Sequence, residues 1–130
     1  MADTYSDPRY GVVKSAPVGQ IDMNIAVDSR RAQWSPPQDE DNANQRTVIK
    51  RCTAVVDTAG TLTGTTLNIF NGTTSIGVIA VGTGVVNTQL ASAAMNTLVT
   101  SGDIINFRNS GSDATVKLRP SIEYADGFLA

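Results

Sequence analysis

Histidine is absent from this chain. With it go the commonest general base, the catalytic triads and dyads that need an imidazole, and most zinc and iron sites. Cysteine occurs once, at Cys52, which excludes an internal disulfide. It lies in an apolar-rich run and reads as a small core residue. A reactive thiol would want a basic partner, and Lys50 and Arg51 are near in sequence, but no imidazole is available. No window is long and apolar enough to span a bilayer, because the run at Ala80-Val81 is soon broken by Gly82 and Gly84. The opening residues, MADTYSDPRYG, lack the basic and apolar regions of a secretory signal.

A basic excess is missing as well. The net charge is −2. Residues 1–46 hold five basic and seven acidic side chains, and 47–130 hold five of each. Neither part offers what nucleic acid or an anionic membrane would require. Catalytic motifs are equally scarce. Gly60 and Gly64 are not followed by the Lys-Ser/Thr of a phosphate loop, and no dinucleotide fingerprint follows a strand. The acidic run Asp39-Glu40-Asp41 lacks the spacing and glycine of a calcium loop. Asp57 and Glu123 form no recognisable carboxylate pair, and Asp103, in a Gly-Asp turn, reads as an acceptor for nearby backbone N–H groups. The expectation is a protein that is not an enzyme, with no catalytic residue, no cofactor and no metal site.

What is present points to strands. At 130 residues the chain is one domain by default, long enough to bury a core without staples. After position 46, Thr, Val, Ile, Gly, Asn and Ser dominate, and Leu, Glu and Lys are scarce. Val48–Val56 reads as a strand, Thr65–Phe70 as a second, and Ser75–Val81 as the strand returning from a hairpin at Asn71-Gly72. The letters Asn71-Gly72-Thr73 also match a glycosylation acceptor, but the tight turn is the preferred reading. Thr83–Val86 is a candidate short strand. Asn87–Leu98, with Leu90, Ala94 and Leu98 at i, i+4 and i+8, predicts one short helix. The chain closes on what reads as a strand pair, Ile104–Arg108 and Ala114–Tyr124. In the second of these Val116, Leu118, Ile122 and Tyr124 alternate with Thr115, Lys117, Arg119, Ser121 and Glu123.

The first 46 residues differ in texture. Asp7-Pro8 and Ala16-Pro17 disfavour helix, and Tyr5, Tyr10, Val12 and Val13 are the sizeable anchors. Near 18–28, Ile21, Met23, Ile25 and Val27 alternate with polar or small residues, as in a strand that begins the domain or adds to a neighbour's sheet edge. Residues 29–46 carry almost no apolar side chain except Trp34, which stands beside Arg30, Arg31 and Pro36-Pro37. A Trp–Arg combination is typical of interface anchors. Folding back onto its own domain is the equal alternative for Trp34, and a stacking platform is a third. The expected organisation is an extended N-terminal arm over 1–46, a β-sandwich body over 47–124 and a tail over 125–130. The expected class is all-β, an antiparallel sandwich or jelly-roll-like barrel.

The stretch Leu98–Phe107, LVTSGDIINF, followed by a flexible turn and a long alternating strand, resembles the closing strands of jelly-roll-like sandwiches. The whole chain resembles the small capsid decoration, or cement, proteins of tailed bacteriophages: small, acidic, poor in histidine, rich in Thr, Gly, Val and Ala, with a polar arm ahead of a β body. That resemblance implies a homotrimer on the outer surface of the virion, bound to the major capsid protein and bracing the shell, with neither nucleic acid nor membrane as partner. The partner-binding residues would then lie in the arm: Tyr5, Tyr10, Ile21, Met23, Ile25, Arg30, Arg31 and Trp34. The alternative is a receptor- or glycan-binding module of a phage tail or fibre.

Overall fold

The computed structural model describes residues 13–22, 30–36, 45–60, 64–100, 102–109 and 116–128. They form two antiparallel sheets packed as a β-sandwich. At the centre of the first sheet lie two long strands, β4 (Gln45–Thr58) and β10 (Lys117–Phe128), paired along their whole length. Each carries a broken companion on its far side. Strands β1 (Lys14–Pro17) and β2 (Ile21–Asp22) follow one another along β10. Strands β7 (Gln89–Ala91) and β8 (Thr97–Val99) follow one another along β4. The second sheet has the order β3 (Arg30–Trp34), β9 (Ile105–Asn109), β5 (Thr66–Asn71), β6 (Thr74–Ala80).

Side-chain alternation produces the core. Cys52, Ala54 and Val56 of β4 and Val116, Leu118 and Ile122 beside or within β10 face Leu67, Ile69, Ile79, Ile105 and Phe107 of the other sheet. All are essentially inaccessible to solvent. The expected alternation of the last strand holds, and Tyr124 packs against the core on the same side as Val116, Leu118 and Ile122. The ladder shifts register between Glu123 and Tyr124, where Lys50 of β4 is the extra residue. The bulge shifts the phase of β4 by one residue, so Ile49 joins the core face beside its partner Tyr124.

Pro120 lies in the middle of β10, where a proline would ordinarily break a ladder. Its carbonyl accepts the Val18 N–H at 3.0 Å, so that side of the residue faces the gap between β1 and β2. In a strand a residue's N and O point the same way. The missing N–H therefore falls where no strand residue of the companion pairs with it.

Three local expectations are corrected. No helix forms over Asn87–Leu98. That segment lies along β4 instead, and its backbone serves β4's open side: Asn87 N to Val56 O at 2.8 Å, Ser92 N to Cys52 O at 2.8 Å, Met95 N to Lys50 O at 2.7 Å. A long central strand needs partners for its N–H and C=O groups, and that demand overrides a modest helical propensity. Thr83–Val86 is a pair of turns and not a strand. The closing segments, β9 and β10, are not paired with each other: β9 lies between β3 and β5, while β10 belongs to the other sheet. The hairpin is present, one residue displaced. Asn71 pairs with Thr74, and Gly72, at φ +61°, is the first of two loop residues, the position where a II′ turn wants glycine.

Within the N-terminal 46 residues, the described parts are integral to the sandwich. β1 and β2 extend the first sheet, β3 edges the second, and Ile21 is a core residue opposite Leu118. Residues 1–12 and 23–29, with Tyr5, Tyr10, Met23 and Ile25, lie outside the described part.

Burial pushes the Cys52 thiol up to about 12, with the Glu123 carboxylate adding to the effect. The neutral thiol therefore favours the folded state below the ordinary value of 9.0, and this contribution is lost as pH rises through about 12. At pH 8 the native protein should react with a thiol reagent only as fast as it unfolds, and at full speed in denaturant; rapid labelling of the native protein would contradict this burial.

Candidate functional site

Of the arm residues singled out in sequence, Ile21 is enclosed in the core and has no surface to offer. Trp34 is half-buried at the end of β3, opposite Ile105 in register. Its ring meets Tyr124 with centroids 5.2 Å apart and planes tilted by 49°. Since β3 and β10 belong to different sheets, this contact closes one flank of the sandwich. Trp34 folds back onto its own domain while keeping part of its surface open. Arg30 and Arg31 are placed on β3 by backbone, Arg30 opposite Arg108, and their side chains lie outside the described part.

Ion pairs join neighbouring strands of the first sheet. Arg51 and Glu123 are direct cross-strand neighbours on β4 and β10, and the guanidinium grips the carboxylate twice, at 2.6 and 3.1 Å. Lys14 of β1 reaches Asp126 at 2.9 Å, and Arg119 reaches Asp57 at 2.6 Å. Gln20 also donates to Asp57, at 3.0 Å. These contacts link β1, β10 and β4 across the sheet. The Lys14, Gln20 and Arg119 contacts are solvent-exposed and the Arg51–Glu123 pair is part-buried, so each adds little stability but fixes lateral register. The Asp126 carboxylate raises the Lys14 ammonium above its ordinary value, and Glu123 does the same for Arg51. Beside them runs an open groove of about 530 Å³ lined by Val13, Lys50, Arg51, Met95, Asn96 and Glu123, among others. Lys50 crosses it to donate to the Asn96 side chain at 2.9 Å.

A second polar cluster, which sequence reading missed, sits on the outward face of the other sheet around the hairpin tip. The Gly72 carbonyl accepts from Arg108 Nη2 at 3.1 Å and from Asn106 Nδ2 at 3.4 Å. Asn106 accepts from Gln33 of β3 at 3.3 Å. The Arg108 guanidinium lies over the Phe70 ring, 4.5 Å from its centroid. Nothing in sequence spacing pairs Phe70 with Arg108; only the β5–β9 register does, setting Asn68 opposite Arg108 and Phe70 opposite Asn106. At the neighbouring turn, Asp103 accepts the Thr100 N–H at 2.9 Å and the Asn71 side chain at 3.3 Å. This is the turn-stapling role expected of it.

Chemically, these contacts brace the fold. Among the described residues no three His, Cys, Asp or Glu side chains come together as metal ligands. Compared with known proteins, the chain matches no family model and no curated sequence.

The Gln20 hydrogen bond is the largest influence on the Asp57 carboxyl; burial opposes it, and the hydrogen bond and charge of Arg119 add to it, so the carboxyl is held below its ordinary value. A carboxyl lowered in this way stabilises the fold above its unfolded pKa, and that contribution fades as pH falls through the folded value. Gln20→Ala and Arg119→Ala should each raise the Asp57 pKa in a carboxyl-detected NMR titration. An unmoved titration in both variants would show that these contacts do not form in solution.

Proposed function

We propose that this chain is a structural protein of a virus particle, a capsid decoration protein that docks on the outside of a phage shell and stabilises it by holding neighbouring major capsid subunits together. One observation carries most of the weight. Every carboxylate whose side chain is described already serves the fold: Asp57 with Arg119 and Gln20, Asp103 with Thr100 and Asn71, Glu123 with Arg51, Asp126 with Lys14. General acid–base work needs a carboxyl placed toward a substrate, and a rigid cross-braced sandwich suits a passive load-bearing part. The glycan-binding alternative draws less support. Stacking recognition wants open aromatic faces, whereas Trp34 leans on Tyr124 and Phe70 is capped by Arg108.

The integration of β1, β2 and β3 changes how the arm is tested. Removing 1–46 would take Ile21 and Trp34 out of the packed body, whereas removing 1–12 leaves every described strand intact. Purified protein should bind saturably to expanded phage shells assembled without it and raise their melting temperature. The variant lacking 1–12 should stay folded and bind at least tenfold more weakly. Absence of shell binding by the intact protein, or saturable binding to host-cell envelopes instead, would overturn the proposal.

A further inference from the structure

Formal charge is distributed unevenly along this chain. Between Asp57 and Asp103 there is not one Asp, Glu, Lys or Arg. That interval contains β5, β6, β7 and β8. All the charged side chains therefore belong to β1, β2, β3, β4, β9, β10 and the segments around them, and β5, β6, β7 and β8 carry none.

Strand β6 is also an edge. It pairs with β5 on one side and with no described strand on the other. The geometry of the open side follows from hydrogen bonding at the strand's end. Val81 N donates to Thr65 O at 2.9 Å, so Val81 faces β5. By alternation Ile79 faces β5 too, and the N–H and C=O groups of Val78 and Ala80 face outward. Soluble proteins ordinarily guard such an edge with charge, proline or extreme shortness. The other edges show these devices: β1 carries Lys14 and Pro17, β3 carries Arg30 and Arg31, and β2, β7 and β8 have two or three residues each. By contrast β6 reads Thr-Ser-Ile-Gly-Val-Ile-Ala over seven residues. Its one protective device is the bulge at Ile76, which leaves Gly77–Ala80 as regular strand. Val78 is 49% exposed there, and the loop that β6 runs into exposes Val85 by 70% and Val86 by 44%.

We infer that β6 is the contact between two copies of this chain, paired antiparallel across a two-fold axis at Ile79. Val78 of one copy then lies opposite Ala80 of the other, and the two outward-facing residues of each copy exchange backbone hydrogen bonds. A two-fold contact sets a surface against itself, and a strand with any net charge would repel its own image. This neutral strand does not, although each whole chain carries −2. Pairing turns two four-stranded sheets into one continuous sheet. The result is a dimer and not the trimer that the family resemblance implies, and it stands whether or not the protein docks on a shell.

Sedimentation equilibrium of the full chain, over a concentration series, tests this. The intact protein should reach twice its 13.7 kDa mass. Val78→Lys and Val78→Glu should each be folded by circular dichroism yet dissociate at least tenfold more readily, since the two copies of residue 78 are diagonal neighbours on one face. Mixing the two variants in equal amounts should restore the dimer. A monomer at every concentration, a trimer, a dimer indifferent to either substitution, or a mixture of two folded variants that stays monomeric would each overturn the inference.

Discussion

The antiparallel register between β4 and β10 is the constraint on which the rest of this molecule depends. These are the two longest strands, and every other strand of their sheet is attached to one of them. β1 and β2 have no ladder except through β10, and β7 and β8 have none except through β4. The pairing also aims the side chains. It sets Leu118, Ile122, Cys52, Ala54 and Val56 toward the second sheet, and Arg51 and Glu123 toward solvent. A slip of one residue would exchange these faces, burying the ion pair and exposing the core. The bulge at Lys50 makes a controlled change of phase within β4, bringing Ile49 inside beside Tyr124.

The second sheet depends on the first for closure. Trp34 of β3 meets Tyr124 of β10 at one flank, and Met95, from the segment along β4, packs under Gly77 of β6 at the other. A methyl group added at Gly77 would approach the Met95 terminal carbon to 2.9 Å, so the Met95 side chain would have to swing aside to admit it. The two flanks differ in character. Strands β3 and β10 at the Trp34 flank bear charge, whereas β6 at the Gly77 flank carries none.

Much of the fold was legible because strand periodicity is a local property. The alternation at Val116, Leu118 and Ile122, the hairpin glycine at Gly72 and the turn role of Asp103 could each be read from a few adjacent residues. What failed was non-local. Leu90, Ala94 and Leu98 have helical spacing, and only the unsatisfied edge of β4 explains why they lie in extended segments. The closing segments read as a pair because they are neighbours in sequence, whereas each finds its partners far away in the chain. For the site, sequence reading chose aromatic and basic residues in the polar N-terminal region. Packing within the domain was one of the open readings for both Ile21 and Trp34, and spacing could not choose among them, because burial depends on the strands they meet. The Arg108–Phe70 contact and the Arg51–Glu123 pair were invisible for the same reason: register creates them.

Native-state hydrogen exchange measured residue by residue tests the primacy of the β4–β10 pair most directly. Amides of β4 and β10 that face each other should exchange only through global unfolding, with the same free energy as the denaturant transition. Those of β1, β3 and β6 should open at lower cost in partial unfolding that leaves the central pair intact. If β10 amides exchanged more readily than those of β5 and β9, the second sheet would be the stable unit, and the account given of this fold would be wrong.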